Sequence, residues 1–208
     1  MTMENIKLHY FDVRGKGEFI RLLLHAAGQK FDDVILPLSS WGPEGKAETP
    51  YGQLPYIVYK GKKYGQSVAI GQFFARKLGF YGNTDEDALK VDEAVQLCED
   101  MRLPHIRDWF LSKDPVKKAE LSQKLRDELF PRYFGYFEEL LVDNGATGFF
   151  AGNSLTLADF VIYDVLDTAL GIDPECLGPF PSLRKLRSNV EAVPAIRDYL
   201  AQRPKSVI

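Results

Sequence analysis

Two cysteines, Cys98 and Cys176, are all that the sequence offers for thiol chemistry, and they stand far apart in the chain. That excludes a disulfide framework and a Cys-x-x-Cys redox or metal pair, and a reducing, cytoplasmic setting is the expectation. An excess of basic charge is missing as well. The 26 Lys and Arg residues face 29 Asp and Glu, for a net charge of −3, which supplies no concentrated basic face for a nucleic acid. No apolar run approaches the length of a membrane span, and Met1 to Lys7 lacks the apolar core of a secretion signal, so neither membrane nor export is expected. Internal repeats, low-complexity tracts and long flexible linkers are absent too. What remains is an ordinary globular composition of 208 residues, 45% hydrophobic and 26% charged. It suffices for one large domain or two small ones with a substantial core.

Periodicity divides the chain. Ile6, Leu8 and Tyr10 alternate with Lys7, His9 and Phe11, the period of a strand with one covered face. Arg14-Gly15-Lys16-Gly17 breaks that pattern. From Glu18 the spacing of Ile20, Leu23, Leu24 and Ala27 is helical and ends at Gly28, while Phe31 to Leu38 reads as a second strand. Ser39 to Pro50 holds Trp41, Gly42, Pro43, Gly45 and Lys46 without a sustained period, which predicts an irregular loop with at most one helical turn. Tyr56 to Tyr64 then places two short aromatic and β-branched runs around a Lys-Gly-Lys turn, a hairpin. Val68, Ile70, Phe73, Phe74 and Leu78 mark a helix that Gly79 stops. Strand, helix, strand, loop, hairpin and helix make a thioredoxin-like α/β unit, expected over residues 1–80.

From Thr84 onward helix signals recur and no strand pattern appears, so an all-helical domain is expected over residues 84–208. Thr84-Asp85-Glu86-Asp87 resembles a capping box ahead of Ala88, Val91, Val95 and Cys98. Pro104 is predicted to kink that helix. Asp114-Pro115 supplies a cap and a first-turn proline to the next helix, which Pro131 is expected to bend or interrupt. In Leu155-Thr156-Leu157-Ala158-Asp159, Thr156 caps and Asp159 reaches back, opening a helix apolar on nearly every side and hence central.

The chain is organised around Tyr51-Gly52-Gln53-Leu54-Pro55 and its echo Gln66-Ser67. A cis Leu54-Pro55 bond would turn the N–H and C=O of Leu54 outward as a docking edge for an extended, peptide-like ligand, and the free amides where Ser67 opens a helix attract a carboxylate. Alone, a Leu-Pro before a strand is a turn and a Ser before an apolar run is a cap. Joined to Tyr10-Phe11-x-Val13-Arg14-Gly15, Trp41 with Lys46, and the Leu155 to Asp159 motif, they resemble a sigma-class cytosolic glutathione transferase. The resemblance covers essentially the whole chain.

That resemblance implies a homodimeric detoxifying enzyme that conjugates the thiolate of glutathione, its co-substrate, to small hydrophobic electrophiles. Tyr10 is implied as the catalytic tyrosine. A thiol with a pKa of ~8.5 is mostly protonated at neutral pH, and a phenol O–H donated to sulfur favours the reactive anion. By the same resemblance Trp41 and Lys46 hold the glycine carboxylate, Gln53 adds an amide hydrogen bond, and Leu54 pairs through its main chain. Gln66 and Ser67 hold the γ-glutamyl carboxylate, and Asp100 reaches the ammonium from the other subunit. Arg14 and Lys16 lend electrostatic support, although many relatives carry arginine where Lys16 stands. Phe11, Val13, Arg107 and Phe110 are expected around the electrophile, between the domains. Vertebrate prostaglandin D synthases of this class place a tryptophan where Arg107 stands, with Trp109 two residues on here. Gln96 replaces one acid of their magnesium-binding cluster while Glu99 and Asp100 remain, so no metal is expected. Prostaglandin-H2 D-isomerase activity and a non-catalytic, crystallin-like or ligand-binding role are the alternatives.

Overall fold

The computed structural model describes residues 6–204. Ile6, Leu8 and Tyr10 are buried on one face of the chain at β1 (Lys7–Phe11), since successive strand side chains point to opposite sides. β1 runs parallel to β2 (Asp32–Leu36) with Tyr10 opposite Ile35, and antiparallel to β3 (Tyr56–Tyr59). β3 turns into β4 (Lys62–Gly65), which gives the sheet order β2-β1-β3-β4. β2 stops short of the expected Leu38 because Pro37 has no amide to give the ladder.

α1 (Gly15–Ala26) buries Phe19, Ile20 and the Leu22 to Leu24 run completely, each worth about 1.5–3 kcal/mol of transfer. The helix starts before Glu18, where the apolar spacing begins: the Glu18 N–H already bonds the Arg14 carbonyl at 3.0 Å. Between β2 and β3 the chain forms one short helix, α2 (Pro43–Ala47), flanked by single 3₁₀ turns at Leu38–Ser40 and Pro50–Gly52. α3 (Ser67–Leu78) packs beside α1 and ends on Gly79, whose φ of 83° suits only a residue without a side chain.

The chain divides into two compact units, one reaching to Phe80 and taking up the chain again from Val193, the other Tyr81–Ala192. The last helix of the chain falls in the first of these units. α10 (Pro194–Gln202) packs on α1 because Glu18, only 1% exposed, draws its donors from there. Tyr199 Oη donates to it at 2.9 Å and Arg203 at 2.5 Å, while Tyr199 stacks on His25 at 4.4 Å.

The second unit has no strand among the described residues. Its helices are α4 (Asp85–Met101), α5 (Arg107–Leu111), α6 (Pro115–Lys124), α7 (Phe130–Asp143), α8 (Leu157–Ile172) and α9 (Pro181–Glu191). α4 breaks where predicted: Leu103, which precedes Pro104, is extended at φ −115° and ψ 116°, as proline demands of the residue before it. Pro131 acts differently, since α7 runs through it while the preceding Leu125–Leu129 segment widens into a π turn; proline cannot donate the amide bond to the turn before it. α8 is buried on nearly every side and opens with the expected capping box. Asp159 accepts from the Thr156 N–H and hydroxyl at 2.6 and 2.7 Å and from the Phe150 N–H at 3.0 Å. Burial pushes its carboxyl up to about 7, against the opposing pull of those hydrogen bonds. Arg102, at the break after α4, bonds Asp164 inside α8. No helix among the described residues is long and apolar enough to cross a membrane.

His9 sits on the other face of β1, stacked on Tyr56 with ring centroids 4.3 Å apart, and both its ring nitrogens are buried without a hydrogen-bond partner. Burial, then the charges of Lys63 and Lys7, lower its pKa below 6.5. The folded state thus binds fewer protons at this site than the unfolded chain, and stability falls as pH drops below 6.5. His9→Phe keeps the stack and removes the proton. Its melting temperature is expected to decline less steeply than wild type as the buffer is taken from neutral to mildly acidic, and parallel declines would contradict that role.

Candidate active site

The central strand ends on Tyr10 and Phe11, and the turn that follows fixes both. Arg21, 4% exposed on α1, donates to the carbonyls of Val13 and Phe11 at 2.9 and 3.3 Å and to Asp33 at 2.7 and 3.3 Å. Its guanidinium lies 5.8 Å from the centre of the Tyr10 ring. The Tyr10 hydroxyl oxygen accepts the Lys16 N–H at 3.0 Å. Lys16 therefore supports Tyr10 through its main chain at the start of α1, where amides carry the positive end of the helix dipole, a contact that the charge-based expectation did not contain. Accepting that bond polarises the phenol and strengthens its O–H as a donor. Arg14 is buried at the first turn of α1.

Trp41 meets Phe11 edge to face at 5.3 Å, and the Lys46 ammonium lies 5.9 Å from the Trp41 ring, so the α2 segment carries an indole and a cation next to the end of β1. The Leu54-Pro55 bond is cis. Neither the N–H nor the C=O of Leu54 enters a hydrogen bond among the described residues. Gln66 donates its side-chain amide to Gln53 at 3.3 Å, which sets the two glutamines side by side. Gln66 stands at φ 71° and makes no side-chain cap, so Ser67 opens α3 with its first amides uncapped by a side chain. Tyr10, Phe11, Trp41, Lys46, Gln53, Leu54, Gln66 and Ser67 all belong to the first unit.

Val13 lines a cavity of about 260 Å³ with Asp12, Arg14, Glu18, Tyr199 and Arg203. In the second unit Asp100 is exposed on α4, Phe110 is 42% exposed, and Arg107 bonds the neighbouring Asp108. Trp109 turns inward: its indole N–H donates to Ser122 at 2.8 Å and Lys118 lies 4.7 Å over its ring. It is a core residue of its helices and does not stand in for a tryptophan at position 107. Arg21, Glu18 and the α10 residues were not singled out as site supports from sequence. Their one signal was charge placed within helical apolar spacing, which a solvated helix face also produces.

The model of the Glutathione S-transferase N-terminal domain matches residues 6–76, and that of the C-terminal domain matches residues 99–203. The chain is 32% identical over 207 residues to glutathione S-transferase 1 of Ascaris suum, covering 98% of this chain and 99% of that one. It is 30% identical over 209 residues to hematopoietic prostaglandin D synthase of Homo sapiens, with the same coverage. Among solved structures, monomeric Na-GST-3, a glutathione S-transferase from the hookworm Necator americanus, is similar with a TM-score of 0.88 at 30% identity, covering 97% of this chain and 98% of that one. With both family domains matched along a thioredoxin-like unit and a helical one, the chain belongs to the glutathione S-transferase family and is an enzyme that transfers glutathione to small hydrophobic electrophiles.

Proposed function

We propose that this transferase is of the sigma class and that Tyr10 holds the glutathione sulfur as a thiolate. The Lys16 N–H bond to the Tyr10 oxygen carries that reading. It fixes the phenol at the mouth of α1 and leaves it acting as a hydrogen-bond donor to sulfur, not as a nucleophile. The thiol proton leaves to solvent, the thiolate attacks the electrophilic carbon, and the leaving group departs with the bonding pair. Trp41 and Lys46 are assigned the glycine carboxylate, Gln53 an amide bond and Leu54 main-chain pairing, supported by its unengaged N–H and C=O. Gln66 and the uncapped amides at Ser67 are assigned the γ-glutamyl carboxylate. Phe11, Val13, Arg107 and Phe110 are assigned to the electrophile, with Arg14 as electrostatic support.

The ammonium of glutathione needs an anion, assigned to Asp100 of a second copy in a homodimer. In support of self-association, Tyr51 is 77% exposed on a strained backbone at φ 60°. Cytoplasmic detoxification of soft electrophiles is the proposed role. It is supported by two cysteines that remain free thiols, which suits a reducing compartment.

The test is conjugation of glutathione to a chlorinated nitrobenzene, together with retention on immobilised glutathione and mass in solution. Chloride release at a rate saturating in glutathione is expected from a retained particle of twice the chain mass. A chain that is not retained would contradict the binding assignments, and a single-chain mass with full activity would remove Asp100 from the site.

A further inference from the structure

We infer that Gly17 is a positioning residue for Tyr10, and that position 17 is glycine because the tyrosine ring occupies the space a side chain there would need. The inference rests on the thiolate-stabilising role proposed for Tyr10. Gly17 is buried in the first turn of α1, and it is not among the residues with positive φ, so its backbone suits any amino acid. Alanine is the better helix former. Local preference therefore argues against glycine at this point, and a tertiary contact must explain it.

That contact is the Tyr10 ring. A Cβ at position 17 would lie 2.7 Å from Cδ1, 2.9 Å from Cγ and 3.3 Å from Cβ of Tyr10. These are the root of the side chain, anchored in the central strand, and not a flexible end that could swing aside. Gly15 guards the other end of the ring: a Cβ there would stand 2.5 Å from the Tyr10 hydroxyl, and its φ of 39° disfavours a side chain in any case. The ring thus lies against the bare backbone of residues 15 to 17, with Gly17 setting its base, Gly15 its tip, and the Lys16 N–H the direction of its oxygen. Gly135 in α7 offers the contrast, since a Cβ there would meet nothing within 4 Å.

Adding one methyl at position 17 forces the ring away by about half an ångström or more before the contact becomes ordinary. The hydroxyl then leaves the geometry shared with the Lys16 N–H and the sulfur. Displacements of this size cost roughly ten- to a hundredfold in rate when the displaced group acts in the transition state.

The experiment compares Gly17→Ala, Tyr10→Phe, their combination and Gly135→Ala in chloronitrobenzene turnover, in the pH profile of kcat/KM and in glutathione affinity. Gly17→Ala is expected to lower kcat/KM at neutral pH at least tenfold and to shift the profile toward higher pH. Its affinity for glutathione and its melting temperature should stay near wild type, and Gly135→Ala should keep full activity. In the Tyr10→Phe background, Gly17→Ala should add little further loss. A wild-type rate in Gly17→Ala beside a crippled Tyr10→Phe would overturn the inference alone, as would an equal loss in both backgrounds. A silent Tyr10→Phe would overturn the catalytic reading and this inference with it. Should Gly17→Ala fold poorly, Tyr10→Ala must relieve the defect by removing the ring, and instability that persists in that double variant would also overturn the inference.

Discussion

Tyr10→Phe is expected to lower kcat/KM for glutathione conjugation by roughly 10²–10³ at neutral pH, the scale seen when one donor to a developing anion is removed. The ring stays, so packing against α1 stays, and only the oxygen that accepts the Lys16 N–H at 3.0 Å is lost. The defect should depend on pH in a defined direction. Below the pKa of free thiol, ~8.5, the enzyme's advantage is the larger fraction of thiolate it maintains; above that value the thiol ionises unaided, and the two proteins should converge. Glutathione affinity should change little, because the carboxylates are assigned to Trp41, Lys46, Gln66 and Ser67, which the substitution does not touch. A constant ratio of rates across the pH range would mean that Tyr10 acts on something other than thiol ionisation. Equal rates throughout would remove it from the mechanism.

Arg21→Ala should be the most destabilising single substitution in the first unit. Arg21 is buried, binds Asp33 through two nitrogens, touches Glu18 at 3.4 Å, and holds the carbonyls of Phe11 and Val13. Truncating it leaves buried acceptors unmatched, a loss of about 3–5 kcal/mol from a total of about 5–15 kcal/mol for a typical domain. Arg21→Lys should not rescue it, since a single ammonium cannot replace a planar fork that reaches both carbonyls and the carboxylates. The comparison is Lys7, whose pair with Asp32 is half exposed at both ends and whose truncation should cost within about 1 kcal/mol. Urea unfolding of the three variants measures this. An Arg21→Ala midpoint close to that of Lys7→Ala would show that the network contributes little. Catalysis should fall too in any fraction that stays folded, because the turn after Tyr10 loses its anchor.

How far each of these groups could be read from the chain depends on how local its cause is. Period-two spacing placed Leu8 and Tyr10 on one face of a strand, Pro104 broke its helix, and Thr156 with Asp159 capped α8, because a backbone conformation or a hydrogen bond between near neighbours decides each of these. The neighbourhood of Gln53, Leu54, Gln66 and Ser67 was legible for the same reason, since they flank one hairpin at its entry and at the helix it feeds. The inward turn of Trp109 toward Ser122, the return of α10 to Glu18, and the fork from Arg21 to Asp33 join residues that the sequence separates, and charge or aromaticity alone does not say which distant partner will come. Gly17 is the sharpest instance. Its composition and helical setting predict only a weak position, and the reason for it appears when the sheet brings Tyr10 against the first turn of α1. The sequence by itself determined the elements and their order, since these follow from short-range geometry; the tertiary structure alone decided what holds the tyrosine in place, because that depends on which volumes are already filled when the strand and the helix meet.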